Sequence, residues 1–300
     1  MSPGILRRIG RSSRSLLLLL NDGNDYPDQS CFDYRGLLMN NLTLSLVSDI
    51  GMLAVGSAAV IYWRWVSKVQ LRWFWVGAGL WTGAVALKVV CALLTNKLVI
   101  GFLKEHLPHQ LYVVAGAAFV GIQSSLFEIG LTLLAVLIWK QLGRDANRAI
   151  GIGVGAGAFE ALVLGLTALV AVLACLSGVP GTERIREAIE KVAAATPLFW
   201  LLAPVERSIA ILCHASSRAL VLLGVSHRRP AMVVCGFLIF TMIDGIAGAA
   251  HLSGVLGKMS MWWIELALLP FAVISVPVLC WCYRRWETGE QTPDLAQDAP

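Results

Sequence analysis

Lys88, Glu128, Glu160, Glu206, Arg207, His214 and Asp244 each stand inside a long apolar run, and that placement is the first clue to chemistry. A charge in hydrocarbon costs at least ~2.5–3.5 kcal/mol, so such groups face one another or a wet cavity and mark a site. Carboxylates beside an imidazole can relay protons, hold a divalent metal, or neutralise a neighbouring cation.

The densest group is Glu206, Arg207, His214 and Arg218 within one run that also contains Pro204. At about 100° per residue, Arg207 and His214 fall within about 20° of one helix face, Arg218 about 40° further on, and Glu206 about 80° from His214. Pro204 removes a backbone hydrogen bond, so a bend just before Glu206 is expected, with a carbonyl freed to take a partner. Arg207 suits a structural Glu/Arg network; His214 suits either that network or a metal. Asp244, at a depth near that expected of Glu206, is a candidate partner for Arg207. Lys88 is expected to pair with a carboxylate, while Glu265 and His251 stand near an outer surface where water can reach them.

A second feature is the glycine at every other position from Gly151 to Gly157, leading into Glu160 and Ala161. It overlays two GxxxG patterns, Gly151/Gly155 and Gly153/Gly157, which admit close helix neighbours. No strand precedes it, so a nucleotide-binding loop is not indicated. Packing does not explain Glu160, about eleven residues or ~16 Å into its span.

The elements that must position these residues are membrane helices. Mean hydropathy is +0.71; 57% of residues are hydrophobic and 14% charged, against roughly 25% charged in a soluble domain. Windows of about 20 apolar residues place spans at roughly 44–66, 73–95, 111–139, 149–177, 198–223, 230–250 and 261–283, giving an all-α polytopic bundle. Basic residues cluster at alternate ends, at Arg64, Lys68 and Arg72, at Lys140, Arg144 and Arg148, at His227, Arg228 and Arg229, and at Arg284 and Arg285. By the positive-inside rule these ends are cytoplasmic, with the N-terminus out and the C-terminus in. The tryptophans near span ends form an aromatic belt, and the charge-balanced segment 178–196 suits an amphipathic surface helix.

The organisation expected is a polar tail over 1–43, one membrane domain over 44–285 and an unfolded cytoplasmic tail over 286–300. Arg7, Arg8, Arg11 and Arg14 conflict with an outside N-terminus, and the five leucines of 16–20 are too few for a signal peptide. Translation starting at Met39 would resolve the conflict. The seven cysteines have no CxxC and no Cys/His spacing, so neither a disulfide framework nor a zinc knuckle is indicated. The net charge of +5 follows from the loop bias and gives no case for nucleic acid.

A glycine-rich stretch running into Glu160-Ala161, then Glu206-Arg207 with His214 eight residues after the glutamate, then Asp244-Gly245, resembles the YhfC-type intramembrane metalloproteases, related to the CAAX-protease and PrsW superfamily. The resemblance covers roughly residues 45–285. It implies a multi-helix membrane fold in which Glu and His converge on a metal, expected to be zinc, that activates water for peptide hydrolysis. It further implies His214, Glu160 and Asp244 as metal ligands and Glu128 or Glu160 as general base, with Glu206, Arg207 and Lys88 as a structural polar network. The chain departs from the pattern at Phe127 and Leu131, where a second glutamate and an arginine are expected, and at Ala156 and Phe240, where histidines are expected.

Three functions follow. The first is hydrolysis of a membrane-embedded protein substrate in the cell membrane. The second is a catalytically degenerate relative that binds membrane partners or acts as a scaffold. The third is a proton-coupled carrier, against which seven spans divide into no equal repeats and show no paired interrupted helices.

Overall fold

The computed structural model describes residues 29–256 and 258–287. The chain divides into two units, 1–40 and 41–300. The leucine run at 16–20, the tail beyond 287 and most of the segment before Met39 lie outside the described residues.

Eight α-helices are described: α1 Gln29–Ser67, α2 Arg72–His106, α3 His109–Ile138, α4 Ala146–Leu176, α5 Glu183–Ala195, α6 Leu202–Ser226, α7 Pro230–Leu252 and α8 Trp262–Glu287. All but α5 are long and apolar enough to cross a membrane, which makes seven spans as the hydropathy reading expects. No strand occurs among the described residues. The outward faces carry residues such as Leu93, Leu94, Leu98 and Ile138 in the open, which is stable only against lipid. The helix α5 buries no residue, in keeping with a surface piece.

The spans differ from the sequence windows in two informative places. The second runs on to His106 rather than closing near residue 95, because no breaker occurs before Pro108. Leu107 takes the extended conformation (φ −114°, ψ 145°), as steric conflict with a following proline ring requires. Pro204 does not bend a helix interior. It sits in the first turn of α6, after the short 3₁₀ turn Phe199–Leu201, where the missing N–H would lack an intrahelical partner anyway.

The middle of the bundle is α6: 78% of its apolar window is buried, against none of that of α2. It packs against α4, α7 and α8, while α3 lies along α7 and α2 along α4. The alternating glycines make this possible. Positions 153 and 155 differ by about 200° around a helix and so face opposite neighbours. A Cβ on Gly155 would lie 2.3 Å from the carbonyl of Phe74 in α2, and one on Gly153 would lie 2.6 Å from Cα of Ala215 in α6. One helix is thereby clasped from two sides, and the Gly157 backbone comes so near His214 that a Cβ there would be 3.1 Å from the imidazole's Cβ. Glu160, one turn on from Gly157, shares that face.

Gly155→Ala is therefore expected to cost about 1–3 kcal/mol by forcing α2 and α4 apart. Gly79→Ala, whose Cβ would meet nothing within 4 Å, serves as the control. Thermal unfolding of both variants in detergent checks this; equal midpoints would show that the glycine contact does not hold the helices.

Candidate functional site

Five helices contribute polar side chains to one unbroken path: α4 and α3 meet α6 directly, and α2 and α7 join through α3. Arg207 of α6 donates to Glu160 Oε1 of α4 at 2.7 Å and to Glu206 Oε1 at 2.5 Å. The other oxygen of Glu160 lies 2.7 Å from His214 Nε2. His214 Nδ1 lies 2.5 Å from the guanidinium of Arg218, one turn further along α6. Arg218 is fully buried, and its second amino group stands 3.5 Å from Glu128 Oε2 of α3. That separation allows an ion pair without a hydrogen bond.

From Glu128 the path turns outward again. Lys88 of α2 donates to Glu128 Oε1 at 2.7 Å and to Ser124 Oγ at 3.0 Å. Asp244 of α7 accepts from Ser124 and lies 3.8 Å from Lys88 Nζ. Lys88 thus pairs with a carboxylate, as the sequence suggested, but Asp244 does not pair with Arg207. α7 packs against both α3 and α6, but Asp244 lies on its α3 side, against Ser124, whereas Arg207 lies on the α4 side of α6, against Glu160.

These contacts fix the state of the imidazole. A guanidinium has five N–H donors and no acceptor, so Nδ1 of His214 must present its lone pair to Arg218. The ring proton then sits on Nε2 and is donated to Glu160, an assignment made from the partners. Phe240 of α7 packs edge-on against the same ring, centroids 5.0 Å apart, and its face lies 5.7 Å below the Arg218 guanidinium. The imidazole is enclosed on both nitrogens and along one flank.

The residues put forward as metal ligands are only partly gathered. Glu160 and His214 touch; Asp244 belongs to the other end of the path with Lys88 and Ser124. Among the described residues no three His, Cys, Asp or Glu side chains converge closely enough to hold a metal ion. The donor chemistry points the same way. Each of Glu128, Glu160, Glu206 and Asp244 has a cation among Lys88, Arg207 and Arg218 within ion-pair distance, and the Nδ1 lone pair of His214 is engaged by a cation. In this arrangement the residues do not fit a zinc site, which wants three protein ligands and an open fourth position.

Glu128 is 3% exposed and held between Lys88 and Arg218, a counter-ion's place rather than that of a base facing solvent. Glu265, expected to be wet, is 6% exposed with Oε2 lacking a hydrogen-bond partner. Ser124 and Phe240 were not put forward as site residues from sequence; Arg218 was placed near the face of His214 but given no role. For Arg218 the signal existed: it follows His214 by four residues, the spacing that stacks side chains on a helix. Cys91, Cys175, Cys213, Cys235, Cys280 and Cys282 are free thiols.

Seven apolar spans enclosing a chain of buried ions define a polytopic membrane protein with an intramembrane polar site. The family model of the YhfC intramembrane metalloproteases matches residues 51–268, well over half the chain, and the protein belongs to that family. No curated protein and no solved structure matches it.

Proposed function

We infer that this member of the family is a membrane binding or scaffold protein whose ionisable residues serve as a structural network instead of a hydrolytic centre. The observation that carries the reading is the closure of His214 by Glu160, Arg218 and Phe240. Phe240 stands at the position where the family resemblance leads one to expect a histidine, and it fills the flank of the imidazole with an apolar ring. An ion network of this kind fixes the register of α2, α3, α4, α6 and α7, because a slip of any one helix would part a buried charge from the partners that satisfy it. The partners are lipids and a membrane-embedded protein, in the cell membrane, with the basic loop ends cytoplasmic.

A second reading is peptide hydrolysis, favoured by the family and by the contact between Glu160 and His214, two residue types that bind zinc. It would assign zinc to His214, Glu160 and Asp244, and the base to Glu128 or Glu160, after a rearrangement that frees them from their present partners.

The two are told apart by the N-terminal peptides of membrane proteins in cells making the wild type or His214→Ala at equal levels. The scaffold reading expects the same peptides in both. Fragments present with the wild type and absent with His214→Ala would overturn it.

A further inference from the structure

The chain has an apolar groove, separate from the ion path, between α1, α2 and α4. It is lined among others by Ser57, Val60, Ile61, Phe74, Trp75 and Phe159 and has a volume of about 270 Å³. From Leu71 to Ala78, both lining it, it extends about 10 Å at 1.5 Å per residue. An apolar groove of that length and volume accommodates a stretch of hydrocarbon chain.

Its walls continue into charge. Ser57, Ile61 and Arg64 follow one another at spacings of four and three residues, the stripe of one helix face, and Lys68 follows directly on the end of that helix, its backbone left-handed (φ 56°). On the facing helix Arg72 precedes Trp75 by one turn. Arg64, Lys68 and Arg72 are exposed, and none forms an ion pair with a described carboxylate. Lys68 and Arg72 rest instead over the rings of Trp65 and Trp73, 5.9 and 4.9 Å from the ring centroids. Exposed Tyr62, Trp65 and Trp75 mark this end as the headgroup zone, where amphipathic rings settle. Three exposed cations in no described ion pair, at the adjoining ends of the two helices that wall an apolar groove, match a phosphate ester with an acyl tail.

We propose that this groove is a binding site for an anionic phospholipid, with one acyl chain between α1, α2 and α4 and the phosphate on Arg64, Lys68 and Arg72. The proposal stands under either reading of the ion path, since none of its residues belongs to that path.

Native mass spectrometry of the full chain in detergent, titrated with phosphatidylglycerol or phosphatidylcholine of the same acyl composition, tests it. The expected result is at least fivefold greater retention of phosphatidylglycerol. In Arg64→Gln/Lys68→Gln/Arg72→Gln that preference falls to near one, and Ser57→Phe, an exposed position on the groove wall, reduces retention of both lipids. All three substituted cations lie on the surface, and a circular-dichroism melt verifies folding; single Arg72→Gln is the fallback, with an expected partial loss of preference. An unchanged preference in the folded triple variant or in folded Arg72→Gln would overturn the proposal. So would unaltered retention in folded Ser57→Phe, or displacement of the lipid by millimolar inorganic phosphate, which would show a headgroup site with no role for the groove.

Discussion

Arg218→Met is expected to destabilise the protein by about 3–5 kcal/mol, the range observed when one member of a buried ion pair is removed. The methionine approximates the length of the arginine stem and leaves little void. What it removes is the fully buried cation between Glu128 and His214. Glu128, 3% exposed, would keep only Lys88 as counter-ion, and the Nδ1 lone pair of His214 would face a thioether. Adding Glu128→Gln removes the stranded charge, so the double variant should recover a large part of the loss even though it carries two substitutions. Unfolding in detergent, followed by circular dichroism for the wild type, both singles and the double, gives the coupling directly. If the two costs simply add, Arg218 and Glu128 do not interact, and the path is broken at its centre.

Glu160→Leu comes next, at about 3 kcal/mol. Its carboxylate bridges Arg207 and His214, each at 2.7 Å. Leucine would leave the guanidinium with Glu206 alone, itself partly exposed, and leave the Nε2 proton of His214 without an acceptor. Glu160→Gln should fall between: its carbonyl oxygen can still accept from Arg207, but its amide group would bring a second donor against Nε2–H. The order wild type, Gln, Leu in unfolding midpoint is the expected outcome. A glutamine variant as stable as the wild type would contradict the assigned proton on Nε2.

The parts of this arrangement that sequence reveals are those that depend on one helix at a time. Hydropathy finds the spans because lipid demands about 20 apolar residues per crossing. The spacing within α6 puts Arg207, His214 and Arg218 near one face because the helical period is fixed. The glycine alternation announces close neighbours on two sides, as Gly153 and Gly155 confirm against α6 and α2. What one helix cannot disclose is which other helix lies opposite. Asp244 and Glu206 are at similar expected depth, so depth alone offered Asp244 to Arg207. The contact of α7 with α3 gave it to Lys88 and Ser124 instead. Glu265 was misjudged for a related reason: nearness to a span end predicts water, but the neighbouring helices bury the side chain.

The family resemblance was legible in the order of motifs, and the departures from it proved structurally meaningful. Ala156 is fully buried in α4, where a Cβ on Gly77 of α2 would come within 2.9 Å of its backbone nitrogen. A larger residue would have to share that contact. Phe240 is set against His214 itself. Both substitutions therefore sit in packed surroundings, and the polar path closes around His214 with the Arg218 guanidinium on one ring nitrogen and the Glu160 carboxylate on the other.

The measurement that bears most directly on this account is zinc content. The full chain is purified in detergent without chelator, supplied with one equivalent of zinc, desalted, and assayed alongside His214→Ala. The closed ion path predicts well under one zinc per chain in both proteins, with no difference between them. About one zinc per chain in the wild type, lost in a folded His214→Ala, would contradict it and make the hydrolytic reading the stronger one.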